Sequence, residues 1–350
     1  MKLPKSERPM IKAAHTSFRH IFGPVPSRRL GVSLGIDLVP HKYCSLNCVY
    51  CECGKTTNLT VDRKEYISCD EIIRELDQYM QLNPAPDYIT FSGAGEPTLN
   101  SRIGDVISYI KKQYPDVPLA VLTNGTLLAD PDRGTALMPA DLLIPSLDAA
   151  TPETFLRINR PHPSLSLDRH IEGLLAFSKV FPGQIWLEVF ILPGYNDHKE
   201  ELDALKTVIA DIRPRRIQLN TLDRPGTLPG LRPASKELLE DIVRDWAFPG
   251  LEIIAPVSIR KSIVAFRDEI GQILYNTLAR RPCTAEDLSR VLHLHINEIN
   301  KYLDVLESEG KIESCIMKRG SFYRLKPGPG NVVINGGIEI KEIKINKEKR

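Results

Sequence analysis

The stretch VSLGIDLVPHKYCSLNCVYC, residues 32–51, joins a short apolar segment to a loop with three cysteines. Six further apolar segments follow it along the chain, and several are continuously apolar, as buried parallel strands are. The strand candidates are residues 32–38, 88–92, 119–123, 142–147, 185–192, 216–220 and 251–254. Amphipathic helices are predicted between them, for example over residues 69–80 and 199–212. The alternation predicts an α/β fold with a parallel sheet.

Unusual residues follow the strand candidates at their carboxyl ends. In α/β folds, the loops at this edge of the sheet carry most functional groups. The loops are the cysteine loop 44–53, Ser-Gly-Ala-Gly-Glu-Pro at 92–97, Thr-Asn-Gly at 123–125, Ser-Leu-Asp at 146–148, residues 193–197 and residues 220–226. Gly, Pro, Asn and Asp also make ordinary turns, which would explain any one loop. All six together at one edge favour a functional site.

Composition excludes several classes of protein. The chain has 350 residues, 42% hydrophobic residues and a net charge of +2, which is ordinary for a globular protein. No apolar run approaches the ~20 residues that a membrane span needs, and residues 1–10 lack the apolar core of a secretory signal. We therefore expect a cytoplasmic protein without a membrane partner. Seven cysteines in such a chain indicate a metal or redox site rather than disulfides.

The two ends of the chain differ from its middle. Residues 1–31 are basic and are predicted to form an N-terminal arm. Residues 266–326 read as three short helices and a β-hairpin, a winged-helix pattern, and residues 327–350 as an edge strand or a disordered tail. The winged-helix region holds ten Lys/Arg and nine Asp/Glu, and its third helix is acidic. Phosphates would be repelled by that helix, which favours a substrate-presenting or protein-contacting module over RNA binding.

The cysteine spacing is the most specific signal. Three thiolates at Cys44, Cys48 and Cys51 can bind three irons of a [4Fe-4S] cube, which leaves the fourth iron free to chelate an amino and a carboxylate group. A structural zinc site with Cys53 as fourth ligand is the alternative, although zinc sites commonly use two separated Cys-x2-Cys pairs. Otherwise Cys53 is a bystander thiol.

This spacing, with Tyr50 before the last cysteine, is identified as that of the radical S-adenosylmethionine (radical SAM) superfamily. The resemblance extends over residues 20–260. It implies a partial (β/α)6-type TIM-like barrel over residues 32–265, followed by the C-terminal winged-helix domain. It also implies two cofactors, a [4Fe-4S] cluster and S-adenosyl-L-methionine.

The resemblance also assigns residues to the SAM site. The glycine-rich loop implies backbone and carboxylate contacts to the methionyl ammonium. The next two strand ends imply contacts to the ribose or the methionine carboxylate, although Asp148 could instead cap the following helix. Residues 192–197 would flank the adenine, and Arg160 would bind a carboxylate or form a surface salt bridge. The predicted SAM-binding residues are Tyr50, Gly93, Gly95, Glu96, Thr123, Asn124, Ser146, Asp148 and Arg160.

The implied chemistry begins with an external electron donor of the flavodoxin or ferredoxin type. The reduced cluster cleaves SAM, and a 5′-deoxyadenosyl radical abstracts hydrogen from a substrate; no residue is assigned to that step. Residues 23–40, GPVPSRRLGVSLGIDLVP, resemble the wyosine-synthase-related group, yet residues 1–43 hold no cysteine for a second cluster. The substrate class stays open between an RNA base, a peptide and a small metabolite. Arg28 and Arg29 could reach an anionic substrate or the SAM pocket, or lie exposed.

A second hypothesis comes from a different class of protein. An iron–sulfur redox sensor could regulate nucleic-acid binding through the winged helix. It predicts salt-sensitive duplex binding.

Overall fold

A computed structural model describes residues 18–223, 226–254, 268–280, 282–292, 294–317, 320–326, 333–334 and 337–338. Its strands are β1 (Ile21–Ser27), β2 (Gly31–Ile36), β3 (Tyr43–Cys44), β4 (Asn58–Leu59), β5 (Tyr88–Phe91), β6 (Leu119–Thr123), β7 (Leu142–Pro145), β8 (Gln184–Phe190), β9 (Arg216–Asn220), β10 (Leu251–Ile253), β11 (Cys283–Thr284), β12 (Ile312–Met317), β13 (Gly320–Leu325), β14 (Val333–Ile334) and β15 (Gly337–Ile338). Its α-helices are α1 (Cys69–Leu82), α2 (Ile103–Gln113), α3 (Pro131–Leu137), α4 (Pro152–Ile158), α5 (Leu167–Val180), α6 (Lys199–Ile212), α7 (Lys236–Trp246), α8 (Asp268–Arg280), α9 (Ala285–Leu292) and α10 (Ile296–Ser308). A 3-10 turn covers Pro97–Leu99.

An eight-stranded sheet forms the centre of the molecule, in the order β1-β2-β5-β6-β7-β8-β9-β10. From β2 to β10 every neighbouring pair is parallel, which confirms the predicted α/β sheet. The seven predicted strands all form, with ends within two residues of those expected. Helices α1 and α6 match their predictions as well, since their apolar residues fall on one face.

The structure corrects the prediction of an N-terminal arm over residues 1–31, because strand β1 lies within that range. Residues 21–27 pair antiparallel with β2 and extend the sheet at its edge, where Ile21 and Phe22 are buried. The sequence did not predict this strand because Pro24 and Pro26 weaken its strand pattern. Proline is compatible with an edge strand because one side of such a strand needs no ladder hydrogen bonds. Residues 1–17 lie outside the described residues.

The two faces of the main sheet have different chemistry. One face is covered by helices, and its strand residues join the large apolar core with α1, α2, α5, α6 and α7. The opposite face, here called the inner face, carries the alternate residues of each strand, because successive side chains point to opposite sides. On β8, for example, Leu187 and Val189 join the helix-covered core, while Trp186, Glu188 and Phe190 lie on the inner face.

A smaller unit follows the main sheet. Helices α8–α10 and the sheet β11-β13-β12 share a separate apolar core. Thr284 caps α9, since Asp287 N donates to Thr284 Oγ1 at 3.0 Å. In the predicted tail, β14 and β15 pair with each other, and its other residues lie outside the described ones. Within the described part of the chain, no helix is long and apolar enough to cross a membrane.

Candidate cofactor site

Three cysteine sulfurs in the loop after β2 each accept a hydrogen bond from a different part of the fold. The donor–acceptor pairs are Lys42 Nζ to Cys51 Sγ at 2.9 Å, Asn159 Nδ2 to Cys48 Sγ at 3.4 Å, and Asn124 Nδ2 to Cys44 Sγ at 3.6 Å. N–H donors around sulfur ligands fix their orientation and offset their negative charge. Each of the three predicted ligands therefore has an N–H donor that would offset part of the charge of a metal-bound thiolate.

The electrostatics of these sulfurs differ along the loop. Burial raises the pKa of Cys44 to about 11 and raises the pKa of Cys48 further. The neighbouring Cys53 side chain, and then the Lys42 charge, lower the pKa of Cys51 despite its burial. Burial by itself lowers the pKa of Lys42, but the nearby cysteines more than offset this, and its net pKa is raised. Because Lys42 is 3% exposed, a buried ammonium faces the sulfurs.

The chemistry of the donor set fits an iron–sulfur cluster. The three cysteines supply sulfur ligands alone, which is the ligand type that holds a [4Fe-4S] cube. Each sulfur also accepts a hydrogen bond from its own N–H donor.

The glycine-rich loop after β5 lies directly against the cysteine loop. Lys42 N donates to Ala94 O at 3.0 Å, and Glu96 N donates to Tyr43 O at 3.0 Å. A Cβ atom on Gly95 would stand 2.3 Å from Tyr43 O. Glycine is needed because the two backbones approach too closely for a side chain.

The Glu96 carboxylate links the second and third strand-end loops. It is 2% exposed, and its Oε1 accepts hydrogen bonds from Thr98 and from Thr123 Oγ1, the latter at 2.7 Å. Its Oε2 accepts one from Asn124 N at 2.8 Å. Burial raises the pKa of Glu96, and these hydrogen bonds oppose the rise. Because a carboxylate oxygen offers two lone pairs, Oε2 retains room for one cationic donor.

Asp148 lies beneath the cysteine loop. The Tyr50 hydroxyl and Asn159 Nδ2 donate to Asp148 Oδ2, the latter at 2.7 Å, and Phe190 N donates to Oδ1 at 3.1 Å. Burial raises the pKa of Asp148 to about 6 against these hydrogen bonds. The alternative in which Asp148 caps the next helix is wrong, because these donors occupy it and Thr151 stands at the N-cap of α4.

Cys53 differs from the other three loop cysteines. Its thiol donates to Asn297 Oδ1 at 3.3 Å, and Asn297 Nδ2 donates to Ser92 O at 3.0 Å. A sulfur that donates a hydrogen bond carries a proton, unlike a metal-bound thiolate. This contact is consistent with the bystander interpretation of Cys53.

The start of α10 touches the glycine-rich loop through Asp37. The His295 ring stacks on Phe22 at 3.9 Å between centroids, and its Nε2 contacts Asp37 Oδ2. The other carboxylate oxygen of Asp37 accepts from Ala94 N at 3.0 Å. A helix that reads duplex DNA contacts bases with its N-terminal residues. These residues contact the protein itself here, so the regulator hypothesis has no support from the structure.

Two predicted residues contribute through their backbones. The Arg160 side chain is exposed, its φ is +47°, and its carbonyl accepts from Asn47 N at 3.1 Å in the cysteine loop. The described residues offer the Arg160 side chain no ion pair or hydrogen bond. Ser146 is half-buried after β7, and its N donates to Thr123 O at 3.1 Å. The structure therefore brings the Arg160 backbone, but not its guanidinium, to the cysteines.

Several residues of this site were not singled out in the sequence. Lys42 and Asp37 lie inside the opening stretch, but a lysine near a turn is normally exposed, and an aspartate at a strand end normally makes a turn. Asn159 and His295 reach the site from 111 residues beyond Cys48 and 258 residues beyond Asp37. No spacing signal could have found these two residues.

The fold and the cysteine loop define an α/β protein built around a metal–sulfur centre, and comparisons with known proteins agree. Residues 38–205 match the model of the Radical SAM superfamily. A UPF0026 protein of Helicobacter pylori is 33% identical over 312 residues, 87% of this chain and 96% of that protein. The chain therefore belongs to the radical SAM superfamily and, within it, to the UPF0026 family, and its cofactors are a [4Fe-4S] cluster and S-adenosylmethionine.

This chain covers a smaller share of two further relatives. A Brachyspira hyodysenteriae protein named GTPase Obg is 38% identical over 300 residues, 85% of this chain. The chain spans only 44% of that relative. A GTP 3′,8-cyclase of Limosilactobacillus fermentum is 28% identical over 176 residues, 50% of this chain and 51% of that enzyme.

Proposed function

We propose that Cys44, Cys48 and Cys51 ligate three irons of the [4Fe-4S] cluster and that the protein is an enzyme that cleaves S-adenosylmethionine reductively. One observation carries this proposal: each of the three sulfurs has its own N–H donor, Lys42, Asn159 or Asn124. When bound and reduced, the cluster supplies the electron that breaks a C–S bond of SAM and starts radical chemistry on a second substrate.

The residues around the cluster loop hold SAM in this proposal. The free Oε2 position of Glu96 and the backbone at Gly93 and Gly95 bind the methionyl ammonium. Thr123 and Asn124, already ordered by Glu96, present polar groups to the ribose or the carboxylate, and Ser146 does so from the next strand end. Tyr50 and Asp148 keep the cysteine loop seated on the inner face.

The remaining architecture is part of the same proposal. The domain predicted over residues 32–265, whose main sheet is parallel in its described part from β2 to β10, corresponds to a partial barrel of the (β/α)6 type. Residues 266–326 correspond to a winged helix that covers the glycine-rich loop through His295 and Asn297 and that presents a substrate or contacts a protein. An external donor of the flavodoxin or ferredoxin type reduces the cluster in the cytoplasm. The name of the cyclase relative, an enzyme, agrees with a catalytic role.

The test is a cleavage assay on anaerobically reconstituted protein. After reconstitution, the wild-type chain should bind about four irons. When dithionite and SAM are then added, it should release 5′-deoxyadenosine and methionine. Cys48→Ala should lose both the iron and the cleavage, whereas Cys69→Ala, which changes a buried cysteine outside the loop, should keep both. A Cys48→Ala protein that retains full iron and cleavage contradicts the ligand assignment.

A further inference from the structure

The floor of the inner face is apolar. Side chains at the amino-terminal ends of the strands form a small core, to which the tip of the β1–β2 hairpin adds Leu30. Its buried members are Leu30, Ala120, Leu142, Ile144 and Trp186. The hairpin tip therefore closes this end of the inner face and brings its neighbouring residues, Arg28 and Arg29, onto it.

Above this floor lies a group of polar side chains that the cofactor proposal does not use. Arg29 forms an ion pair with Glu188, and their side chains are 11% and 16% exposed. Arg28 forms an ion pair with Asp223 at 3.3 Å. Gln218 is the β9 neighbour of Glu188 in register, and it is 1% exposed. We call Arg28, Arg29, Glu188, Gln218 and Asp223 the inner polar patch.

Two atoms of the inner polar patch have unmet hydrogen-bonding capacity. Arg29 Nη1 is buried and has no hydrogen-bond partner in the described part of the chain. The same holds for Gln218 Oε1, although Gln218 Nε2 donates to Glu252 at 2.8 Å. A buried donor or acceptor that is left unpaired destabilises the folded protein. A ligand with one acceptor and one donor would satisfy both atoms.

The position of the inner polar patch places such a ligand beside the cofactor site. The backbone of Glu188 forms an isolated parallel β-bridge with that of Ser146, a predicted SAM-site residue. Two residues further along β8, which is about 7 Å, Phe190 stacks on Tyr50 of the cysteine loop at 3.9 Å between centroids. A molecule on the inner polar patch would thus lie between the apolar floor and the cluster loop.

We infer that the inner polar patch binds the radical-chemistry substrate through an oxyanion group, a carboxylate or a phosphate, on Arg29 Nη1. Gln218 Oε1 accepts a hydrogen bond from an N–H or O–H group of the same molecule. A guanidinium suits this task because its remaining N–H groups form a planar fork for oxyanions. Glu188 offsets part of the Arg29 charge and so limits the affinity for anions. This inference rests on the proposed function and names its substrate class.

Trp186 in the floor allows a direct binding test. The only other tryptophan is Trp246 in α7, so Trp246→Phe leaves Trp186 as the sole reporter. The cluster-loaded protein is titrated with sodium phosphate and, separately, with sodium acetate, against sodium chloride at equal ionic strength. We expect a saturable change in Trp186 fluorescence with at least one anion, and the tighter of the two identifies the oxyanion class.

Two opposite variants make the test decisive. Arg29→Gln should weaken anion binding at least tenfold, and Glu188→Gln should tighten it severalfold because the Arg29 charge is no longer offset. Arg169→Gln, an exposed arginine of α5, should leave binding unchanged. If Arg29→Gln fails to fold, the gain in Glu188→Gln still decides. No saturable change with either anion, or no tightening in Glu188→Gln, overturns the inference. Binding is measured without reductant, so this failure is distinct from a failure of SAM cleavage.

Discussion

The buried ammonium of Lys42 should set the redox potential of the cluster. Its Nζ lies 2.9 Å from Cys51 Sγ, and the side chain is 3% exposed. At an effective dielectric constant of ~20, a unit charge at this distance contributes about 6 kcal/mol. Two effects reduce this energy. The electron added on reduction spreads over the whole cluster, and a neutral side chain in place of Lys42 would let some solvent approach. We therefore expect a net effect of about 1.4–2.8 kcal/mol, or about 60–120 mV for one electron.

Lys42→Met tests this estimate. Methionine has a similar length and no charge, so the variant should keep the cluster while its midpoint potential falls by about 60–120 mV. An anaerobic redox titration followed by electron paramagnetic resonance measures the potential directly. Lys55→Met is the matched control, since Lys55 lies in the same loop but is exposed. A Lys42→Met potential equal to that of the wild type, with the cluster intact, would refute the electrostatic reasoning.

Substitutions at His170, Gly95 and Cys53 test other parts of the structure. Burial lowers the pKa of His170 to about 4, so its contribution to stability is present above the unfolded value of about 6.5 and is lost as pH falls. From pH 8 to pH 5 the unfolding free energy of the wild type should fall by about 2 kcal/mol more than that of His170→Leu, as followed by urea denaturation. Gly95→Ala places a Cβ 2.3 Å from Tyr43 O and should cost about 1–3 kcal/mol in the same measurement; equal stability would mean that the loops do not touch there. Cys53→Ser should keep about four irons per chain in an iron assay, and a loss of one iron would make Cys53 a ligand.

Much of the parallel sheet was predictable because buried parallel strands are short, apolar runs. The periodicity of α1 and α6 likewise follows from one-sided burial. Strand β1 was missed because Pro24 and Pro26 weaken a strand pattern that only an edge position tolerates. The pairing of β1 with β2 depends on a hairpin whose tip, Leu30, packs across the sheet.

The candidate site was predictable where its chemistry is local in sequence. Cys44, Cys48 and Cys51 share one loop, and Gly95 follows the next strand. Asn159 could not be foreseen because it donates to Cys48 from 111 residues away. Such contacts depend on tertiary packing, which leaves no periodic signal in the chain.

Arg160 shows that a residue's position near the cysteines does not determine whether its side chain reaches them. It lies near the cysteines in space, but its left-handed backbone turns the carbonyl toward Asn47 and leaves the side chain exposed. Arg29 illustrates the opposite case. A basic hairpin tip is normally solvated, yet this one enters the inner face because Leu30 anchors it in the apolar floor.

In the proposed function, three cysteines hold the cluster and leave one iron open for S-adenosylmethionine. Electron-nuclear double resonance on the reduced protein, with SAM labelled with ¹⁵N at its amino group, measures this directly. We expect a hyperfine coupling from that nitrogen to the cluster, which appears only when SAM is added. A clean [4Fe-4S] spectrum with bound SAM and no nitrogen coupling would contradict it.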